Sequence, residues 1–146
     1  MTTGKEAPKG TYMETTTPER TVAFDRQDQL QLIQSALQEG EQLFAVYDEK
    51  GFGTGYMAVT DRRLIVQNPG FIHLGTGRKK IATISLPYSR IVEVGLLSDK
   101  SVFGTFFSTA EVYVRTSAGD VHAAQFRSPD KAKYIHDLVL HYITAK

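Results

Sequence analysis

Residues 111–144 read EVYVRTSAGDVHAAQFRSPDKAKYIHDLVLHYIT, and this stretch decides the fold. Val112 and Val114 alternate with Tyr113 and Arg115, the period of a half-buried strand. Ala118-Gly119 then supplies a turn, and a second strand runs over 121–127. Ser128-Pro129-Asp130 is a helix start, with a capping hydroxyl, a proline at the first helical position and an acid in the first turn. The helix it opens, 129–144, carries Ile135, Leu138, Val139, Tyr142 and Ile143 on one stripe. Lys131, Lys133, Asp137 and His141 fall elsewhere, so one face packs and the other meets water.

Upstream the texture is the same, with short β-branched and aromatic runs punctuated by glycine and proline. Further strands are predicted over 42–48, 54–60, 63–68, 80–86 and 90–96, which makes seven in all. Their turns fall at Lys50-Gly51, Asp61-Arg62, Asn68-Pro69-Gly70 and Pro87. Before them, Asp25 is placed to cap a short helix over 26–39, with Leu30, Ile33 and Leu37 on one face and Gly40 after its end. Residues 1–24 hold seven threonines, balanced charge and no apolar period, and read as a flexible arm preceding a domain over 25–146. The expected class is mainly β, a seven-stranded antiparallel sandwich or barrel with a capping C-terminal helix and a short N-terminal one.

Three runs carry a family resemblance: Gly40-Glu41 at the first of these strands, Thr60-Asp61-Arg62-Arg63-Leu64-Ile65-Val66 across the second turn, and Pro87-Tyr88-Ser89-Arg90-Ile91 entering the fifth. With the strand count and the terminal helix, residues 37–146 resemble the bacterial pleckstrin-homology-like family. The resemblance implies a barrel-like sandwich, frequent assembly into symmetric oligomers, and no catalytic residues. Eukaryotic relatives that hold phosphoinositides place several Lys and Arg at the first hairpin. This sequence offers Lys50 there, beside Asp48 and Glu49, which argues against that ligand.

The chain has 146 residues, a formal charge of +1 and no cysteine, so disulfide frameworks and thiolate chemistry are excluded. No stretch approaches the ~18 apolar residues of a membrane span, and the N-terminus lacks the order of a signal peptide. The expectation is a soluble cytoplasmic protein without cofactor or metal. Gly51-Phe52-Gly53-Thr54-Gly55 looks like a phosphate loop, but a strand rather than a helix follows it, and a hairpin is the better reading. His136 and His141 are five residues apart, the wrong helical spacing for a shared metal, and His73 and His122 are expected at the surface or its boundary. No nucleophile elbow is present, and the acids show no regular pairing. An enzyme is not expected.

Between Arg62 and Lys80 lie five basic residues, Arg62, Arg63, Arg78, Lys79 and Lys80, and no acid. The two groups should stand at opposite ends of their strands. Arg78, Lys79 and Lys80, with Lys50, are the candidates for an anion or lipid headgroup. Nucleic acid is not expected at a pI near 8.0. Loop aromatics are the second feature: Phe52, the pair Phe71-Ile72, and Phe103, Phe106 and Phe107 in the connection over 98–108. Bulky side chains in glycine-bearing loops mark contact surfaces. The function expected is therefore a non-catalytic module that self-associates into a homo-oligomer and binds a protein or peptide. The alternative is a peripheral domain for anionic membranes, using the basic run with Phe71 and Ile72.

Overall fold

The computed structural model describes residues 21–50, 55–73, 79–98 and 110–145. Its elements in chain order are β1 (Ala23–Phe24), α1 (Gln27–Ala36), β2 (Leu43–Asp48), β3 (Tyr56–Thr60), β4 (Arg63–His73) and β5 (Lys79–Pro87). A single 3-10 turn, Tyr88–Arg90, then leads to β6 (Ile91–Ser98), β7 (Ala110–Thr116), β8 (Val121–Phe126) and α2 (Pro129–Thr144). The first sheet has the order β1-β2-β3-β4-β5 and the second β6-β7-β8. All pairs are antiparallel except β1 with β2.

All seven expected strands form, and the alternation in β7 is seen directly: Val112 and Val114 are buried, while Arg115 is exposed. Inward residues of both sheets meet α2 in one core that includes Phe44, Val59, Leu64, Val114, Phe126 and Ile135. The helix start works as its sequence demands, with the Ser128 hydroxyl accepting from the Asp130 N–H at 3.2 Å.

A second cluster explains why β3 is buried at every position. Leu30 and Ile33 of α1 lie on Leu43, Val46, Tyr56, Ala58 and Ile65, so β2, β3 and the adjoining part of β4 are covered on both faces. The N-terminal segment also adds an unforeseen strand. Ala23 and Phe24, assigned by sequence to the arm, pair in parallel with Ala45 and Val46.

Three local expectations are corrected. Asp25 does not cap α1; Arg26 occupies the cap position without a side-chain bond. The Asp25 carboxylate instead accepts from the Asp48 N–H at 2.9 Å and pairs with Lys131 of α2. Helix α1 ends at Ala36 rather than at 39, because Leu37 is already extended and Gly40, at φ 77°, makes the turn into β2. Asn68-Pro69-Gly70 is not a loop but lies inside β4, where a register shift between Pro69 and Ile72 makes a bulge. A bulge tolerates proline's missing donor, so the strand continues to His73.

Candidate interaction surface

The three runs behind the resemblance converge on one polar node. Glu41, at the start of β2, has a fully buried carboxylate. It accepts from Arg63 Nε at 2.8 Å and Nη2 at 3.0 Å, from Thr60 Oγ1 at 2.7 Å and from the Gln38 N–H at 2.9 Å. These bonds, the two from Arg63 foremost, pull its pKa down to about 2 against the cost of burial. Arg63 also donates to the Ala36 carbonyl that ends α1, at 3.0 Å, and to Ser85 Oγ of β5 at 2.9 Å. Arg62 donates to the Glu39 carbonyl at 3.1 Å. The Tyr88 hydroxyl donates to the carbonyls of Thr60 at 2.6 Å and Arg63 at 3.1 Å, and its ring stacks on Tyr142 of α2 with centroids 4.9 Å apart. Arg62 and Arg63 are thus engaged in holding α1, the β3–β4 turn and β5 together.

The remaining basic candidates stand elsewhere. Arg63 pairs with Pro87 at one end of the β4–β5 hairpin, whereas His73 pairs with Lys79 and Ile72 with Lys80 at the other. The two groups are therefore at opposite ends of the strands, roughly 30 Å apart by strand rise. Phe71 and Ile72, expected in a loop, belong to β4, where Ile72 pairs with Lys80 and His73 with Lys79. Lys50 follows β2, where its N–H donates to the Gln125 carbonyl of β8 at 2.6 Å. Phe52, Arg78, Phe103, Phe106 and Phe107 lie outside the described residues.

Near Lys50 the corner is acidic. Glu49 is buried, and burial, reinforced by Asp48 and Glu111, pushes its carboxyl up to about 7. Asp48 accepts from Gln29 Nε2 at 2.8 Å and faces Arg127 at 3.8 Å.

The feature that sequence reading missed is the edge of β5. Among the described residues this strand pairs only with β4. Ala82, Ile84 and Leu86 turn inward, while Ile81, Thr83 and Ser85 are exposed, Ile81 at 67%. No charged residue interrupts 81–86. Beside its end opens a cavity of about 570 Å³, walled by Ile84, Leu86 and Pro87, by Arg90, and by Val121 and His122 of β8. Inward and outward residues of both strands line it, so it meets β5 and β8 edge-on. His122 is buried here, against the expectation of a surface or boundary position.

Among the described residues, no group of three His, Cys, Asp or Glu side chains is placed to hold a metal ion. No helix there is long and apolar enough to cross a membrane.

No family model and no curated protein matches the sequence. Solved structures do. The chain is similar to a pleckstrin homology domain from Shewanella amazonensis SB2B, with a TM-score of 0.55 and 22% identity over 82% of this chain and 98% of that one. It is similar as well to a DUF1696 family protein with a pleckstrin-homology domain from Shewanella loihica PV-4, with a TM-score of 0.56 and 22% identity over 83% and 96% of the two chains. Likeness at this level of identity defines the fold. The chain has the pleckstrin-homology-like fold of these bacterial domains.

Proposed function

We propose that this protein is a non-catalytic interaction module that self-associates and binds a protein or peptide. The observation that supports the reading best is the β5 edge, where one side of an uncharged run has no partner strand among the described residues and Ile81 is turned to solvent. Edge strands are ordinarily blunted by charge, proline or a covering element, and an unblunted one recruits another strand. Pro87 and the two lysines at 79 and 80 bound this run without interrupting it. Phe103, Phe106 and Phe107 are retained as the second part of the contact surface. Each phenylalanine fully covered by a neighbour contributes roughly 1.5–3 kcal/mol.

The test is solution mass by light scattering after size exclusion, for the wild type and for Ile81→Lys/Thr83→Lys. A closed oligomer in the wild type that dissociates in the variant, with unchanged circular dichroism, supports the reading. A wild-type monomer at every concentration removes self-association from it.

A second reading is favoured by the β4–β5 register, which sets Ile72 and His73 beside Lys80 and Lys79 at one hairpin end. Basic and apolar residues together there suit an anionic membrane surface, at about 1 kcal/mol per cation. Pelleting with acidic liposomes at low salt and its loss at high salt, as the Debye length shortens, would establish that reading. No pelleting at low salt disposes of it.

A further inference from the structure

We propose that the cavity between β5 and β8 receives residues 11–17 of this same polypeptide as an added strand on the β5 edge. The proposal goes beyond self-association, because the segment can come from the same molecule or from a neighbouring copy.

Three observations support it. The first is the acceptor. The cavity meets β5 along its edge, and its apolar walls, Leu86, Pro87 and Val121, lie close to polar Ser117 and Thr116. An edge-on cavity of this shape suits main chain with one apolar side chain better than it suits a compact ligand.

The second is the segment. Residues 11–17 read TYMETTT and are bounded by Gly10 and Pro18. They are rich in threonine, contain tyrosine and lack glycine and proline, the composition of a strand. Apart from Met1, Tyr12 and Met13 are the only bulky apolar residues before Thr21. Glu14 adds the single charge of the run, and Arg90 at the cavity makes no side-chain hydrogen bond or ion pair among the described residues. Met13 between Leu86 and Val121, with Glu14 toward Arg90, satisfies both.

The third is reach. Leu43 pairs with Thr60 and Arg63 pairs with Pro87, so the start of β2 and the end of β5 share one end of the sheet. Strand β1 runs parallel to β2, and the chain enters it from that same end. From Ala23 of β1 to a strand outside β5 is five strand spacings, about 24 Å. With residues 11–14 on the edge, residues 14–23, fully extended, span up to roughly 30 Å. The segment therefore reaches the cavity of its own molecule, and a neighbour's cavity is open to it as well.

The native chain holds no cysteine, which makes disulfide trapping in the full-length protein unambiguous. The pair Met13→Cys/Val121→Cys is compared under mild oxidation with Met13→Cys/Leu140→Cys. Val121 and Leu140 are 47% and 41% exposed, so both sites tolerate the change, and Leu140 is on α2 away from the cavity. The expected result is cross-linking at least about tenfold faster at position 121 than at 140, the effect of raised local concentration. A product of one-chain mass means the molecule's own segment, and one of two-chain mass a neighbour's; either supports the proposal. Arg90→Glu should slow the reaction, and Glu14→Arg added to it should restore the rate. Equal rates at 121 and 140, or no cross-link at 121, overturn it. A monomer by light scattering with a one-chain cross-link would remove self-association while leaving this inference standing.

Discussion

Replacing Glu41 with glutamine tests the claim that Glu41 and Arg63 form a structural node. The Glu41 carboxylate is fully buried and bonded through both oxygens, and the fold lowers its pKa from 4.5 to about 2. At about 1.4 kcal/mol per pKa unit, that difference is worth roughly 3 kcal/mol of stability. The carboxylate form is the one that the fold favours. Its contribution is complete above pH 4.5, declines as the pH falls and is gone below about 2. Glu41→Gln keeps the shape but leaves the Arg63 guanidinium without its counter-charge, so the loss at pH 7 should be about 3 kcal/mol. Urea unfolding at pH 7 measures it, with the slope unchanged if the transition stays two-state. Repeating the titration between pH 5 and 2 should show a flatter decline in the variant than in the wild type. A difference at pH 7 under about 0.5 kcal/mol, the range of ordinary surface substitutions, would refute the reasoning. So would an identical acid limb in the two proteins.

Glu49 behaves with the opposite sign: its pKa is raised to about 7, so stability present below pH 4.5 is lost as the pH climbs through 7. Glu49→Gln should match the wild type near pH 4 and exceed it by roughly 2–3 kcal/mol at pH 8, read from paired melts. Tyr88→Phe removes the hydroxyl that serves the Thr60 and Arg63 carbonyls and should cost about 1–2 kcal/mol in chemical unfolding. A methyl group at Gly95 would collide with the Tyr113 ring, which lies across it and bonds Glu93 at 2.7 Å. Gly95→Ala should therefore cost about 1–3 kcal/mol, and much less in a Tyr113→Ala background, as a double-mutant cycle would show. Under the proposed self-association, Phe106→Asp should lower the solution mass without unfolding the chain; an unchanged oligomeric mass by light scattering would exclude that interface.

The strands and α2 were legible because their signals are local. Alternation in β7, the Ser128-Pro129-Asp130 start and the stripe on α2 each depend on neighbours within a few residues. The node was visible only as three separate runs, since nothing in the spacing of Glu41, Arg63 and Tyr88 says that they meet. Asp25 shows the limit most plainly. As a sequence it is a helix cap, but its carboxylate serves an N–H 23 positions away and a lysine 106 positions away. Pro69-Gly70 misled for a related reason: turn chemistry and bulge chemistry use the same residues, and only the partner strand decides between them. The β5 edge was missed because edge or centre is a property of the sheet order, which a single strand's sequence does not contain.

The N-terminal segment bears on the location of any interaction surface. Without α1, the outer face of the first sheet would expose Leu43, Val46, Tyr56, Ala58 and Ile65, an apolar surface able to draw in a partner. Without β1, part of the β2 edge would be open as well. The segment covers both, and Arg63 ties its helix end to the same Glu41 that starts β2. Among the described residues the opposite edge of that sheet, on β5, has no partner strand, and the cavity lies beside it. Strand addition to the first sheet, as proposed, therefore falls to β5.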